Sequence, residues 1–129
     1  MPIRQPCPPG ACECQREVLL EQAGQDRRIL QLTREEEKKL LARLESLRSL
    51  DDLRHMQQRL KDLLGLELRV EVGAAEVRTV RGLTIELQPM PGLCRKTRQT
   101  VPAAVRRGLD ANVQIVFDLL NENDLLRGL

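Results

Sequence analysis

The stretch TREEEKKLLARLESLRSLDDLRHMQQRLKDLLGLELRVEV, Thr33 to Val72, decides the fold class, because its hydrophobic period changes once inside it. Thr33-Arg34-Glu35-Glu36 is a capping-box signature, and Glu35 to Glu37 then sit where the positive end of a helix favours acids. Leu40, Leu41, Leu44 and Leu47 recur at helical spacing, which predicts a helix over 34–47. Ser49-Leu50-Asp51-Asp52 restarts a helix in the same way. Leu53, Met56, Leu60, Leu63 and Leu64 are its expected buried stripe, and Gly65 its stop. So short a link between two amphipathic helices predicts an antiparallel helical hairpin. From Leu66 the period falls to two: Leu66, Leu68, Val70 and Val72 alternate with Glu67, Arg69 and Glu71. Leu83, Ile85 and Leu87 alternate in the same way with Thr84, Glu86 and Gln88. Two half-buried strands joined across Gly73 to Gly82 read as an antiparallel pair. Such a pair is marginal alone and needs helices against it. The expected fold is therefore α+β: a helical hairpin packed on a small antiparallel sheet, followed by C-terminal helices.

Outside this stretch the signals are weaker. Residues 1–14 contain Pro2, Pro6, Pro8, Pro9 and Gly10, which deny regular helix and predict an irregular arm folding onto the body, 15–129. Glu13 to Gln22 reads as a short helix ended by Gly24. Ile29, Leu30 and Leu32 form an apolar connector with the composition of a short strand. Pro89-Met90-Pro91-Gly92 is a turn. Thr100 to Arg107 reads as a helix with Thr100 as N-cap, Pro102 in its first turn and Gly108 as its breaker. Asp110 is the expected cap of a last helix, buried through Val113, Val116, Phe117 and Leu120.

At 129 residues the chain has the length of one domain. Its 21 basic and 19 acidic residues nearly cancel, so it is neither a polycationic nucleic-acid sponge nor an acidic tail. It has one aromatic residue, Phe117, and one histidine, His55. A single aromatic cannot form the stacking platform on which single-stranded nucleic-acid binders gain ~1–3 kcal/mol per base. One histidine excludes the HExxH zinc pair and any multi-histidine relay, and His55 reads as a surface residue. Neither a phosphate-cradling GxxxxGK loop nor a GxGxxG turn is present, and nothing matches a nucleophile–base–orienter arrangement. A non-enzymatic role is expected. The first residues lack an apolar core and carry Arg4, unlike a secretory signal, and no apolar run is long enough to span a membrane. The expectation is a cytoplasmic protein with reduced thiols.

The four cysteines are the strongest chemical signal. Cys7, Cys12 and Cys14 form C-x4-C-x-C on the proline-rich arm, and Cys94 follows eighty positions after Cys14, just beyond a Pro-Gly turn. Four thiolates suit a closed tetrahedral zinc site, and they also suit an iron–sulfur cluster. The spacing is neither the paired-knuckle pattern of zinc ribbons nor a common ferredoxin pattern. Redox-active thiols, and ordinary cysteines with Cys94 packed as a small hydrophobe, stay open as alternatives.

The second signal is segregated charge. Residues 78–107 hold Arg78, Arg81, Arg95, Lys96, Arg98, Arg106 and Arg107 against the single acid Glu86, while the stretches on either side are net acidic. Such a segment suits an anionic partner, either a nucleic-acid backbone or an acidic protein surface. The bland alternative is a solvated face paired with the acids of 33–37 or 110–124. The leucine stripes at 40–64 also suit a structural homodimer in which the cysteines are incidental.

In the blocks Pro6-Cys7-Pro8-Pro9-Gly10-Ala11-Cys12-Glu13-Cys14 and Gly92-Leu93-Cys94-Arg95-Lys96-Thr97-Arg98-Gln99, with Arg78-Thr79-Val80-Arg81-Gly82 between them, the chain resembles a family of short bacterial proteins of about this length. The resemblance implies no activity. It implies that the pairing of the cysteine arm with the Cys94 segment is a built feature. The expectation carried forward is a zinc-stabilised binding module with a basic contact surface.

Overall fold

The computed structural model describes residues 4, 16–21, 24, 26–72 and 83–127. Among the described residues five α-helices and a two-stranded antiparallel sheet make an α+β fold, as the change of period predicts. In chain order they are α1 (Arg16–Glu21), a 3-10 turn (Arg28–Gln31), α2 (Arg34–Glu45), α3 (Leu50–Leu64), β1 (Leu68–Val72), β2 (Leu83–Leu87), α4 (Arg95–Ala111) and α5 (Gln114–Arg127).

The caps of α2 and α3 form as their sequences require. The Thr33 hydroxyl accepts from the Glu36 amide at 3.3 Å, and the Ser49 hydroxyl from the Asp52 amide at 3.1 Å. Gly65 closes α3 in the left-handed region at φ +70°, its amide returning to Leu60 and Lys61 carbonyls. Two adjacent arginines finish the helix ends that glycine alone leaves open. Arg27 donates to the Leu19 and Leu20 carbonyls at the end of α1, at 2.8 and 3.2 Å. Arg28 donates to the Lys61 and Asp62 carbonyls at the end of α3, at 3.3 and 3.0 Å, while Asp26 grips its guanidinium. This pinning explains why Ile29 and Leu30 are not in a strand. Leu30 and Leu32 amides bond three residues back, to Arg27 and Ile29, and both apolar side chains are buried.

The link between α2 and α3 is short and clamped by Arg43, whose guanidinium grips the Asp52 carboxylate through both oxygens. The helices nevertheless take different partners. α2 lies along α4, whereas α3 packs on the 3-10 turn, β1 and α5. Leu44, Leu47, Leu53, Met56 and Leu60 are buried as expected, but Leu63 is 52% exposed, one position off the buried stripe.

β1 and β2 pair in the register Leu68↔Leu87, Val70↔Ile85 and Val72↔Leu83. Leu68 and Val70, with Leu83, Ile85 and Leu87 opposite, turn inward, as their alternation dictates. The Gly73–Gly82 connection lies outside the described residues. In the turn after β2 the Leu93 amide bonds to the Met90 carbonyl at 3.1 Å, with Pro91 and then Gly92 (φ +88°) at its centre, the residue pair a type II turn demands.

The two C-terminal helices depart from the sequence reading. α4 begins at Arg95 rather than Thr100 and runs through both Pro102 and Gly108. Its buried stripe is Thr97, Val101, Ala104, Val105, Gly108 and Leu109, one continuous helical face against α2. The Thr97 and Thr100 hydroxyls both donate to Glu37 on α2, at 3.1 and 3.0 Å. Thr100 is therefore a packing contact, not a cap. Gly108 does not break the helix; it is the point of closest approach to α2, where a Cβ would overlap the Leu44 carbonyl oxygen. α5 begins at Gln114, beyond the expected cap Asp110, and buries Ile115, Val116, Leu119 and Leu120. Val113 and Phe117, expected in the core, are 53% and 50% exposed.

Candidate functional site

Cys94 stands where the Pro91-Gly92 turn delivers the chain into α4. It is the N-cap of that helix, half-buried, and its side chain makes no capping hydrogen bond. The sulfur thus sits at the positive end of a seventeen-residue helix, a setting that favours anionic ligands and thiolates. Gly92 and Leu93 anchor this corner. Leu93 is buried, and a Cβ at Gly92 would overlap Leu19 of α1 and come within 2.7 Å of Ile29 of the 3-10 turn. The backbone amide of Arg4 donates to the Leu30 carbonyl in that same turn, at 2.6 Å. Cys7, Cys12 and Cys14 lie outside the described residues. Among the described residues no group of three or more histidine, cysteine, aspartate or glutamate side chains is placed to hold a metal. A metal at Cys94 therefore depends on the other three cysteines. His55 is exposed on α3, as the sequence suggests.

The basic residues divide by position along α4. Arg95, Lys96 and Arg98 are exposed on its first two turns. Arg107 turns the other way and pairs with Glu45 of α2 at 2.7 Å. Arg106 reaches from α4 to the Leu83 carbonyl of β2 at 3.5 Å. Arg78 and Arg81 lie outside the described residues. Of the acids proposed to neutralise the segment, Glu37 is engaged by threonines, and Glu122 pairs with Arg54 of α3 at 3.2 Å. The first turns of α4 therefore present cations with no acid from either group against them among the described residues.

Sequence reasoning missed one feature, a groove of about 550 Å³ between β2 and α4. Ile85, Glu86 and Leu87 lie on one wall, and Arg98, Pro102, Ala103 and Arg106 on the other. Arg98 and Arg106 read as members of a basic run; only the full length of α4 puts them at opposite ends of one slot. The available signal was Pro102 within an otherwise helical apolar pattern.

No helix among the described residues is long and apolar enough to cross a membrane. No family model, curated protein or solved structure matches this chain.

Proposed function

We propose that this protein is a binding module stabilised by one zinc ion on Cys7, Cys12, Cys14 and Cys94, presenting Arg95, Lys96 and Arg98 to an anionic partner. Arg78, Arg81, Arg106 and Arg107 complete the basic segment. The observation that carries the reading is where the chain meets the body on either side of the cysteine arm. Arg4, three residues before Cys7, is bonded to the 3-10 turn; α1, starting two residues after Cys14, packs through Leu19 on Gly92. Both attachments border the corner that holds Cys94. The three cysteines of the arm are thus flanked in sequence by residues that belong to, or are bonded to, the elements touching the Gly92 turn, and this supports the reading. The ion would join arm, turn and helix start, so that its binding free energy becomes folding free energy. It would also fix the backbone from which Arg95, Lys96 and Arg98 project.

The test is native mass spectrometry with elemental analysis on untagged protein purified without oxygen. One zinc per chain, lost in Cys94→Ser, is the expected result. Iron with acid-labile sulfide would replace zinc by a cluster, and four freely alkylated thiols with no metal would overturn the reading. The basic surface is tested separately on a polyanion column. Elution of Arg95→Ala/Arg98→Ala/Arg106→Ala at clearly lower salt than the parent supports it, and equal elution removes it.

A further inference from the structure

The two edges of β2 are not equivalent. The Gln88 amide donates to the Glu67 carbonyl at 2.9 Å, and this pair continues the alternation of Arg69↔Glu86 and Glu71↔Thr84. These are therefore the hydrogen-bonded pairs of the antiparallel ladder, and their backbone groups face β1. The amides and carbonyls of Leu83, Ile85 and Leu87 face the opposite way, and of these residues Ile85 and Leu87 line the groove beside α4. Arg106 meets the Leu83 carbonyl there. Among the described residues no backbone group is bonded to the outward amides and carbonyls of Ile85 or Leu87.

The facing wall has the matching property. Pro102 has no amide to return to the carbonyl of Arg98, four residues earlier, so that carbonyl lacks its helical donor where both residues line the groove. A strand edge without a backbone partner among the described residues, beside a groove, is the setting for strand addition, in which main-chain bonds supply affinity and flanking side chains supply selectivity.

We infer that this groove accepts an extended acidic segment of a partner protein as a third strand on β2. The inference rests on the basic-surface part of the proposed function and names its partner. α4 runs back along β2, and the eight steps from Arg98 to Arg106 rise ~12 Å at ~1.5 Å each. A strand covers that distance in about four residues at ~3.3 Å each. Positions i and i+4 of a strand lie on one face, so two carboxylates so spaced match the two guanidinium groups. Glu86 also lines the groove, but its carboxylate lies on the exposed face of the sheet and pairs with Arg69 at 3.5 Å, which leaves Arg98 and Arg106 as the charges facing the slot. A second copy of this chain is a poorer occupant, because edge-to-edge pairing would bring its own Arg98 and Arg106 against these. A nucleic-acid backbone has charge but no alternating amide and carbonyl to meet the edge.

The test uses the full-length protein and a fluorescent ten-residue peptide of alternating valine and threonine with two glutamates four positions apart. Binding is read by anisotropy, and the bound edge by amide hydrogen exchange. Saturable binding with new protection at Ile85 and Leu87 is expected. N-methylation of alternate peptide amides, which keeps the charge and removes the strand donors, should weaken binding about tenfold. Arg98→Ala, at an exposed position, should weaken it about fivefold and leave the circular dichroism unchanged. Equal binding of the N-methylated peptide, or binding that protects neither amide, overturns strand addition. Displacement by an oligothymidylate of equal charge that protects the same amides assigns the groove to nucleic acid instead. If the polyanion column holds the protein through its arginines but the peptide does not bind, this inference fails alone. If neither binds, the basic-surface reading fails with it.

Discussion

Replacing Gly108 by alanine sets two physical effects of opposite sign against each other. In an exposed helix interior, Gly→Ala stabilises by about 1 kcal/mol through backbone entropy. In α4 the same methyl group enters the crossing with α2. It would overlap the Leu44 carbonyl oxygen and lie 3.3 Å from both the Leu44 carbonyl carbon and Leu47 Cδ1. A carbon–oxygen contact needs ~3.3 Å, so the helices must part by about an ångström. Backbone cannot rotate out of the way as a side chain can. Parting would loosen Leu44, Val101, Ala104, Val105 and Leu109, all 0% exposed. Overpacking of this kind costs about 1–3 kcal/mol, and the upper end applies where the obstacle is main chain. The net expectation is a loss of about 2 kcal/mol, read as a lower midpoint in equilibrium urea unfolding with an unchanged slope. A Gly108→Ala protein as stable as the parent, or more so, would refute the close crossing of α2 and α4.

Three further outcomes are expected. Asp52→Asn should cost about 1 kcal/mol at neutral pH, since it removes the charged partner of Arg43. Hydrogen bonding from Arg43 holds the Asp52 carboxyl below its ordinary 3.8, assisted by the Arg48 amide and opposed by burial. A depressed carboxylate stabilises the folded state above its unfolded value and loses that contribution as pH falls through the folded value. The gap between parent and variant, followed by thermal unfolding, should therefore be constant near neutrality and close as the pH falls below 3.8. Gly65→Ala should cost about 1–2 kcal/mol in urea unfolding, because a side chain at φ +70° is strained and its Cβ would lie 2.5 Å from Asp26 Oδ2, disturbing the Arg28 cap of α3. Under the zinc reading, a strong chelator should lower the Tm of the parent and leave Cys94→Ser unaffected; equal Tm values with and without chelator in the parent would count against a structural ion.

The elements α2, α3, β1 and β2 were legible because their information is local, whereas the pairing of α2 with α4 rather than with α3 was not. Thr33 and Ser49 cap with their own next turn, Gly65 stops α3 with its own φ, and alternation alone tells Leu68 and Val70 which way to face. The C-terminal half was less legible because residues elsewhere in the chain decide it. Thr100 looks like a cap until Glu37, sixty-three positions away, accepts a hydrogen bond from its hydroxyl. Gly108 looks like a breaker until α2 supplies the surface that needs a missing side chain. Phe117 looks like core by hydropathy, yet the stripe that faces the body is Ile115, Val116, Leu119 and Leu120.

The same division runs through the candidate site. The sequence alone determined that three cysteines lie on the proline-rich stretch 1–14 and the fourth inside the basic segment 78–107, since residue type and order are covalent facts. It also determined the α+β class, since the periods of 3.6 and 2 arise from the geometry of a single segment. Only the tertiary structure decided that Cys94 is the N-cap residue of α4 beside a turn packed on Leu19 and Ile29, and that Arg107 turns to Glu45 while Arg98 and Arg106 flank a groove. It alone left the outer edge of β2 facing that groove. These are relations between segments far apart in the chain, set by which apolar faces exclude water together, and no local pattern encodes them.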